Sequence, residues 1–178
     1  MAFAIELFFD RANSLKIVHT WSILREQGAG SYLIESGSQP HITLAVFNEV
    51  DVNKINSILN RISQEVNSFS LYLSSLGTFL TDEGTVFLAP VVTETLLSIH
   101  RMLHELTNEY DEEKWEHYLP GKWVPHCTMT TNHSKEEGIK ALAIIKNQFR
   151  PIDVVVERIG LVEFRPVKKH SEFALVFQ

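Results

Sequence analysis

The chain writes Pro-His-x-Thr twice, as Pro40-His41-Ile42-Thr43 and as Pro125-His126-Cys127-Thr128. Each copy heads a run with strand character, "QPHITLAVF" at 39–47 and "WVPHCTMTT" at 123–131. An ionisable ring inside an apolar strand costs free energy to keep, so its repetition asks for a reason. The repeat also constrains the topology. His41 and His126 lie 85 residues apart (126 − 41), the helix starts at Asp51 and Lys135 lie 84 apart (135 − 51), and the strand starts at Phe69 and Ile152 lie 83 apart (152 − 69). Three near-equal offsets point to an internal duplication, about 1–80 and 84–178. Each half then runs strand-helix-strand-helix-strand and carries one copy of the motif.

The surrounding periodicities fill in those halves. "FAIELFF" at 3–9 predicts a strand, and a helix is expected from about Arg11 to Gln27 with Leu15, Val18, Trp21 and Leu24 on one side. A loop, "GAGSYLIESGSQP", leads to the first His strand at 41–47. Val52, Ile55, Leu59, Ile62 and Val66 recur at helical spacing, and Phe69, Leu71 and Leu73 alternate as a strand. In the second half, "TVFLAP" at 85–90 predicts a strand, and Thr93 caps a helix bearing Leu96, Ile99, Leu103, Leu106 and Tyr110. An irregular stretch precedes the second His strand at 126–131. Ser134 with Glu137 has the form of a capping box for a helix through Phe149. A long strand, "IDVVVERIGLVEF", and a final strand at 173–177 complete the order.

Composition narrows the class. With 178 residues, 44% hydrophobic, the chain suits one domain or two small lobes sharing a core. The net charge of −6 leaves only "RPVKKH" at 165–170 locally basic, so a long nucleic acid gripped along its phosphates is not expected. A short or end-recognised phosphate-bearing partner fits better. No apolar run approaches the roughly 20 residues of a membrane span, and "MAFAIELFFD" reads as a first strand rather than a leader. A single cysteine fits a reducing, cytoplasmic setting. In that setting the Asn132-His-Ser spelling of a glycosylation acceptor carries no meaning.

On a strand, residues i and i+2 share a face. His41 therefore stands beside Thr43 and His126 beside Thr128, while Ile42, Leu44, Cys127 and Met129 turn to the core. Cys127 thus faces away from His126 and reads as a small buried hydrophobe. A single strand histidine followed by Thr is usually structural. Two in matching halves, packed about a pseudo-twofold axis, would meet in one cleft with two imidazoles and two hydroxyls. One imidazole can then act as base and the other as acid. The hydroxyls suit a tetrahedral anion, and neither motif holds a carboxylate for a metal-phosphate mechanism. The chemistry so written is acid–base cleavage of a phosphodiester.

With these residues in place the sequence resembles the 2H phosphoesterase superfamily, and within it the bacterial 2'-5' RNA ligase and cyclic phosphodiesterase branch. The likeness rests on "HITL" at 41–44 and "HCTM" at 126–129, on the "WVPH" approach, and on "LGTFLTDEGTVFLAPVVTETLLSIHRMLHEL". It implies an α+β, duplicated bilobal fold of antiparallel sheets around a central cleft, helices outside. It implies activity on 2',3'-cyclic phosphates or 2'-5' linkages, or the reverse joining, on RNA ends, short oligonucleotides or cyclic nucleotides. His41, Thr43, His126 and Thr128 become the catalytic set, with no cofactor and no metal. One histidine would activate water or a hydroxyl and the other protonate the leaving ribose oxygen; which does which stays open. Neither a membrane nor an obligate protein partner is indicated.

Competing readings are of three kinds. A module that holds an RNA end or nucleotide in the same cleft without turnover would show the same motifs. His100 and His104 stand four apart on a helix, a zinc-gripping spacing, but a third ligand is missing nearby and both read as rim residues. His19, His117, His133 and His170 read as surface residues. Arg165, Lys168 and Lys169 are candidates for a second phosphate but fit a solvated turn, and Tyr32, Trp123 and Phe9 serve packing as readily as base stacking. Neither a Gly-x-x-x-x-Gly-Lys loop nor Gly-x-Gly-x-x-Gly occurs, so nucleotide activation is not indicated.

Overall fold

In the computed structural model, which describes residues 2–80, 84–131, 133–164 and 166–177, the first apolar run forms β1 (Ala2–Phe9). Asp10 ends it and starts α1 (Arg11–Glu26): Oδ1 accepts from the Asn13 N–H and Oδ2 from the Val155 N–H, both at 2.9 Å. One carboxylate thus caps a helix and ties it to a distant strand. The rest of the first half is α2 (Tyr32–Glu35), β2 (His41–Phe47), α3 (Val52–Glu65) and β3 (Phe69–Thr78). The second half is β4 (Val86–Pro90), α4 (Glu94–Leu106), two 3-10 segments (Asn108–Glu113 and Glu116–Tyr118), β5 (Cys127–Thr130), α5 (Lys135–Gln148), β6 (Ile152–Phe164) and β7 (Lys168–Ala174). The Asn132 acceptor spelling and Arg165 fall outside the described residues.

The strands hydrogen-bond in the order β2-β1-β6-β3-β4-β5, every named pair antiparallel, with β7 added beside β6. Exchanging β1 with β4, β2 with β5 and β3 with β6 reverses this order and leaves it unchanged. Each motif strand pairs with the first strand of its own half. The third strand is traded: β6 completes β2-β1, and β3 completes β5-β4. The spatial lobes are therefore built across the two sequence halves, with the long β6 running through both. β2 and β5, at opposite ends of the strand order, also approach one another. Helices are shared in the same crossed way, α1 packing on β5 and β6, and α4 on β2. This is the antiparallel α+β arrangement with outer helices.

The irregularities repeat as well. Between Ile5 and Glu6 the β1–β2 register skips Leu44, and between Val86 and Phe87 the β4–β5 register skips Met129. An extra residue in one strand of an antiparallel pair is a β-bulge, which re-aims the side chains that follow. Both bulges come directly after the motif Thr. Leu44 and Met129 are buried, with Ile42 and Cys127, as the i, i+2 rule requires.

Four boundaries or faces differ from the periodic reading. Leu15 is exposed and α1 buries Ile17, Thr20, Trp21 and Leu24, packing on β5 and β6. Tyr110 lies beyond α4, in the first 3-10 segment. The loop at 28–40 contains α2. The last strand is Lys168–Ala174, earlier than 173–177; it forms a hairpin with β6, and pairing outweighs the apolar run at the terminus. The Ser134–Glu137 capping box is present. Gly30 (φ +123) passes Thr130 so closely that a Cβ would lie 1.8 Å from its Oγ1, so only glycine fits.

Candidate active site

His41, Thr43, His126 and Thr128 all line one cleft of about 740 Å³. Two strands from opposite halves bring them there, and after each bulge the cleft face resumes out of phase. The lining on β2 is His41, Thr43 and Val46; past the second motif it is His126, Thr128 and Thr131.

The two histidines are held alike at one nitrogen. His41 Nδ1 lies 2.6 Å from the Gln39 carbonyl and His126 Nδ1 lies 2.7 Å from the Val124 carbonyl. A carbonyl only accepts, so Nδ1 carries the hydrogen in both rings. Nε2 is then the nitrogen left for proton exchange. The backbone two residues upstream, fixed by Pro40 and Pro125, selects the tautomer.

Around Nε2 the symmetry fails. His41 Nε2 lies 3.3 Å from Oε1 of Glu6, which is buried on β1 opposite Thr43. The residue opposite Thr128 is Phe87. Its ring lies 5.3 Å from that of His126, and Phe79 approaches the same imidazole edge-on at 4.9 Å. His126 titrates below the usual imidazole range, chiefly because burial disfavours the cation, with the nearby charge of His41 adding to this. Glu6 is pushed above the usual carboxylate range by burial, a rise opposed by His41 and Lys169. Glu6 belongs to neither His-x-Thr motif. Its signal is there nonetheless: it is the one charged residue in "FAIELFF", and a charge in a buried strand needs a partner.

The bulge on β2 interrupts the ladder and leaves carbonyls to satisfy. The Trp123 indole N–H donates to the Thr43 carbonyl at 3.0 Å, and His104 Nε2 donates to the Leu44 carbonyl at 3.4 Å. Trp123 stacks on His100, ring centroids 4.0 Å apart and planes within 5°, while His100 Nε2 donates to the Tyr118 carbonyl at 2.9 Å. His100 and His104 are thus buried at 4% and 7% exposure, not at the rim; His104 Nε2 braces the motif strand β2, and His100 Nε2 holds the Glu116–Tyr118 segment beside it. Burial depresses both, with the Lys114 charge adding at each; at His104 the His100 charge adds as well, and it falls to about 4. Among the described residues no group of three His, Cys, Asp or Glu side chains is placed to hold a metal ion.

The remaining candidates divide. Tyr32, Trp123 and Lys169 line the cleft, as do Phe8, Trp115 and Phe164, whereas Phe9 is core. Lys169 is bonded to Glu172 at 2.6 Å, and Lys168 lies outside the cleft lining. His170, read as a surface residue, is half-buried and 2.7 Å from the Glu163 carboxylate. His133 is half-buried against Gly84 and Gly138. His117 is exposed at the cleft edge and His19 is exposed elsewhere. Burial pushes the Cys127 thiol up to about 12, which leaves it inert as a nucleophile.

An antiparallel α+β fold with paired His-x-Thr strands facing one cleft defines the 2H phosphoesterase class. A family-wide sequence profile described as the 2'-5' RNA ligase superfamily matches residues 18–167, and the chain belongs to that superfamily. Solved structures of the same fold include TT0787 of Thermus thermophilus (TM-score 0.66, 16% identity, 100% of both chains). E. coli LigT complexed with 3'-AMP is similar (TM-score 0.65, 18% identity, 97% of both chains), as is a structure described as a phosphoesterase (TM-score 0.62, 16% identity, 98% of both chains). At these identities the likeness is one of fold. A search of curated proteins finds no significant match. No helix among the described residues is long and apolar enough to cross a membrane.

Proposed function

We propose that this protein is a phosphodiesterase acting on 2',3'-cyclic phosphate or 2'-5' phosphodiester bonds of RNA ends, short oligonucleotides or cyclic nucleotides, within one bilobal domain of duplicated descent. The observation that carries the reading is the unequal surroundings of two equally tethered imidazoles. His126, half-buried against Phe79 and Phe87, favours the neutral ring and is the base; His41, with a carboxylate at Nε2, is the acid. Membership of the superfamily and the complex of LigT with 3'-AMP support a nucleotide-type ligand.

In hydrolysis of a cyclic phosphate, His126 Nε2 takes a proton from water as its oxygen attacks phosphorus. The bond from phosphorus to the leaving ribose oxygen breaks, and that oxygen takes the proton from His41 Nε2. Thr43 and Thr128 hydroxyls donate to the non-bridging oxygens, where charge grows in the transition state. Proton exchange with solvent then resets both rings. With a ribose hydroxyl in place of water, the same forward steps join ends: the hydroxyl oxygen attacks the cyclic phosphate, the bond to the leaving ribose oxygen breaks, and no nucleotide activation is needed. The aromatic walls of the cleft offer stacking surfaces for a base.

The test is incubation of the full-length protein with the four nucleoside 2',3'-cyclic phosphates and a set of 2'-5'- and 3'-5'-linked dinucleotides, in excess EDTA, with products separated by chromatography. Turnover of the cyclic or 2'-5' compounds is expected, and the product isomer identifies the leaving oxygen. Saturable binding of these compounds with no turnover would replace the enzyme by a binding module.

A further inference from the structure

The two halves present matched histidines, yet the position opposite the motif Thr is Glu6 in one lobe and Phe87 in the other. Glu6 lies in the cleft wall at 8% exposure, with its Oε1 3.3 Å from His41 Nε2. A buried carboxyl is costly without a partner, and phenylalanine at the matching place shows that the fold itself does not need an acid there. Since His41 Nδ1 is already committed to the Gln39 carbonyl, a carboxylate at Nε2 rewards the doubly protonated ring.

We propose that Glu6 is a positioning residue that keeps the proton on His41 Nε2 and orients that ring, so making His41 the acid of the pair. This rests on the phosphodiesterase reading for its consequence in catalysis, but not for the pairing itself. The other groups facing the pair are consistent with it. Just before β5, His126 lies near enough for its charge and that of His41 to oppose each other, which favours one proton rather than two between the rings. From β7, Lys169 attracts the Glu6 carboxylate, while Lys169 is itself held by Glu172, which also binds Arg158 of β6 at 2.8 Å. Cys127, beside the His41 backbone, remains a neutral thiol. At 3.3 Å the Glu6 carboxylate is an ion-pair neighbour of Nε2 rather than its hydrogen-bond partner, so a substrate oxygen can take up the Nε2 hydrogen. When that oxygen leaves, the proton moves from Nε2 to it, and His41 remains neutral beside Glu6.

The experiment compares wild type with Glu6→Gln and Glu6→Asp. Glutamine keeps the volume and removes a desolvated acid, so the Glu6→Gln protein stays folded, as circular dichroism checks. The first readout needs no substrate: nitrogen-15 spectra of the imidazoles across pH. In Glu6→Gln the His41 ring signals change while those of His126 move little; Glu6→Asp retains most of the wild-type behaviour. The second readout is the pH profile of turnover. In Glu6→Gln the alkaline limb moves and kcat falls, with KM little changed and the acidic limb in place. His41 spectra that are the same in wild type and Glu6→Gln overturn the proposal, whatever the protein hydrolyses. Absence of turnover by wild type overturns the phosphodiesterase reading, and the spectra still decide the role of Glu6.

Discussion

Leu44 and Met129 occupy the same place in the two lobes: each is the extra residue of a bulge directly after the motif Thr. The bulges let His, Thr and the residue three further on line one cleft, Thr43 with Val46 and Thr128 with Thr131. On an unbroken strand the third would turn to the core. A site assembled this way depends on the backbone around the bulge as much as on the four side chains.

If Thr43 and Thr128 each donate to a non-bridging oxygen, Thr43→Val and Thr128→Val keep the shape and remove one donor. Each should lower kcat by roughly 10²-fold with a smaller change in KM. Steady-state kinetics on the best substrate from the panel checks this; an equal rise in KM at constant kcat would assign the hydroxyls to ground-state binding instead.

His126 titrates below the usual imidazole range because its half-buried ring is desolvated and lies near His41. As a base it works only when neutral, so activity is present at neutral pH and is lost as pH falls through that depressed value. The acidic limb of kcat/KM should therefore lie below about 6.5, the ordinary imidazole value. A limb at or above that value contradicts the assignment of His126 as base.

Trp123→Phe removes the indole N–H from the Thr43 carbonyl and leaves that group at the bulge unsatisfied. The expected loss of stability is about 1–3 kcal/mol, read from urea unfolding. A fall in kcat should accompany it, since the same carbonyl belongs to a motif residue. Unchanged unfolding would show that water replaces the indole freely.

Asp10→Ala should cost about 1–2 kcal/mol, the usual range for an N-cap, because the carboxylate serves both Asn13 and Val155. Burial alone would raise the Asp10 carboxyl, but its hydrogen bonds to Val155, Asn13 and Ala12 outweigh that, and it titrates below the usual carboxylate range. A depressed folded-state value gives stability that is full above the unfolded value of about 3.9 and is lost as pH falls through the folded one. The difference between variant and wild type should therefore shrink toward acid pH, as chemical unfolding at pH 7 and pH 3 will show.

Much of this was legible in the residues. The paired His-Thr faces, the inert Cys127 and the Ser134–Glu137 cap follow from short-range periodicity, and the structure places each as the pattern requires. What was not legible is long-range. A bulge has no composition of its own, so Leu44 and Met129 look like ordinary core residues. The exchange of β3 and β6 between lobes leaves no trace in local spacing. His100 and His104 sit at the edge of a helical stripe, which reads as a rim until β2 and Trp123 cover them. Glu6 was visible as a charge among apolar neighbours, but its partner lies 35 residues along the chain (41 − 6).

The central claim is that two imidazoles share one reaction. Its most direct test is turnover of the preferred cyclic or 2'-5' substrate by wild type, His41→Ala and His126→Ala, in EDTA and with folding checked by circular dichroism. Each substitution alone should lower kcat by about 10²–10⁴-fold, and the double variant should be scarcely worse than either single one, since the two rings act as a unit. Full activity in either folded single variant would contradict the account.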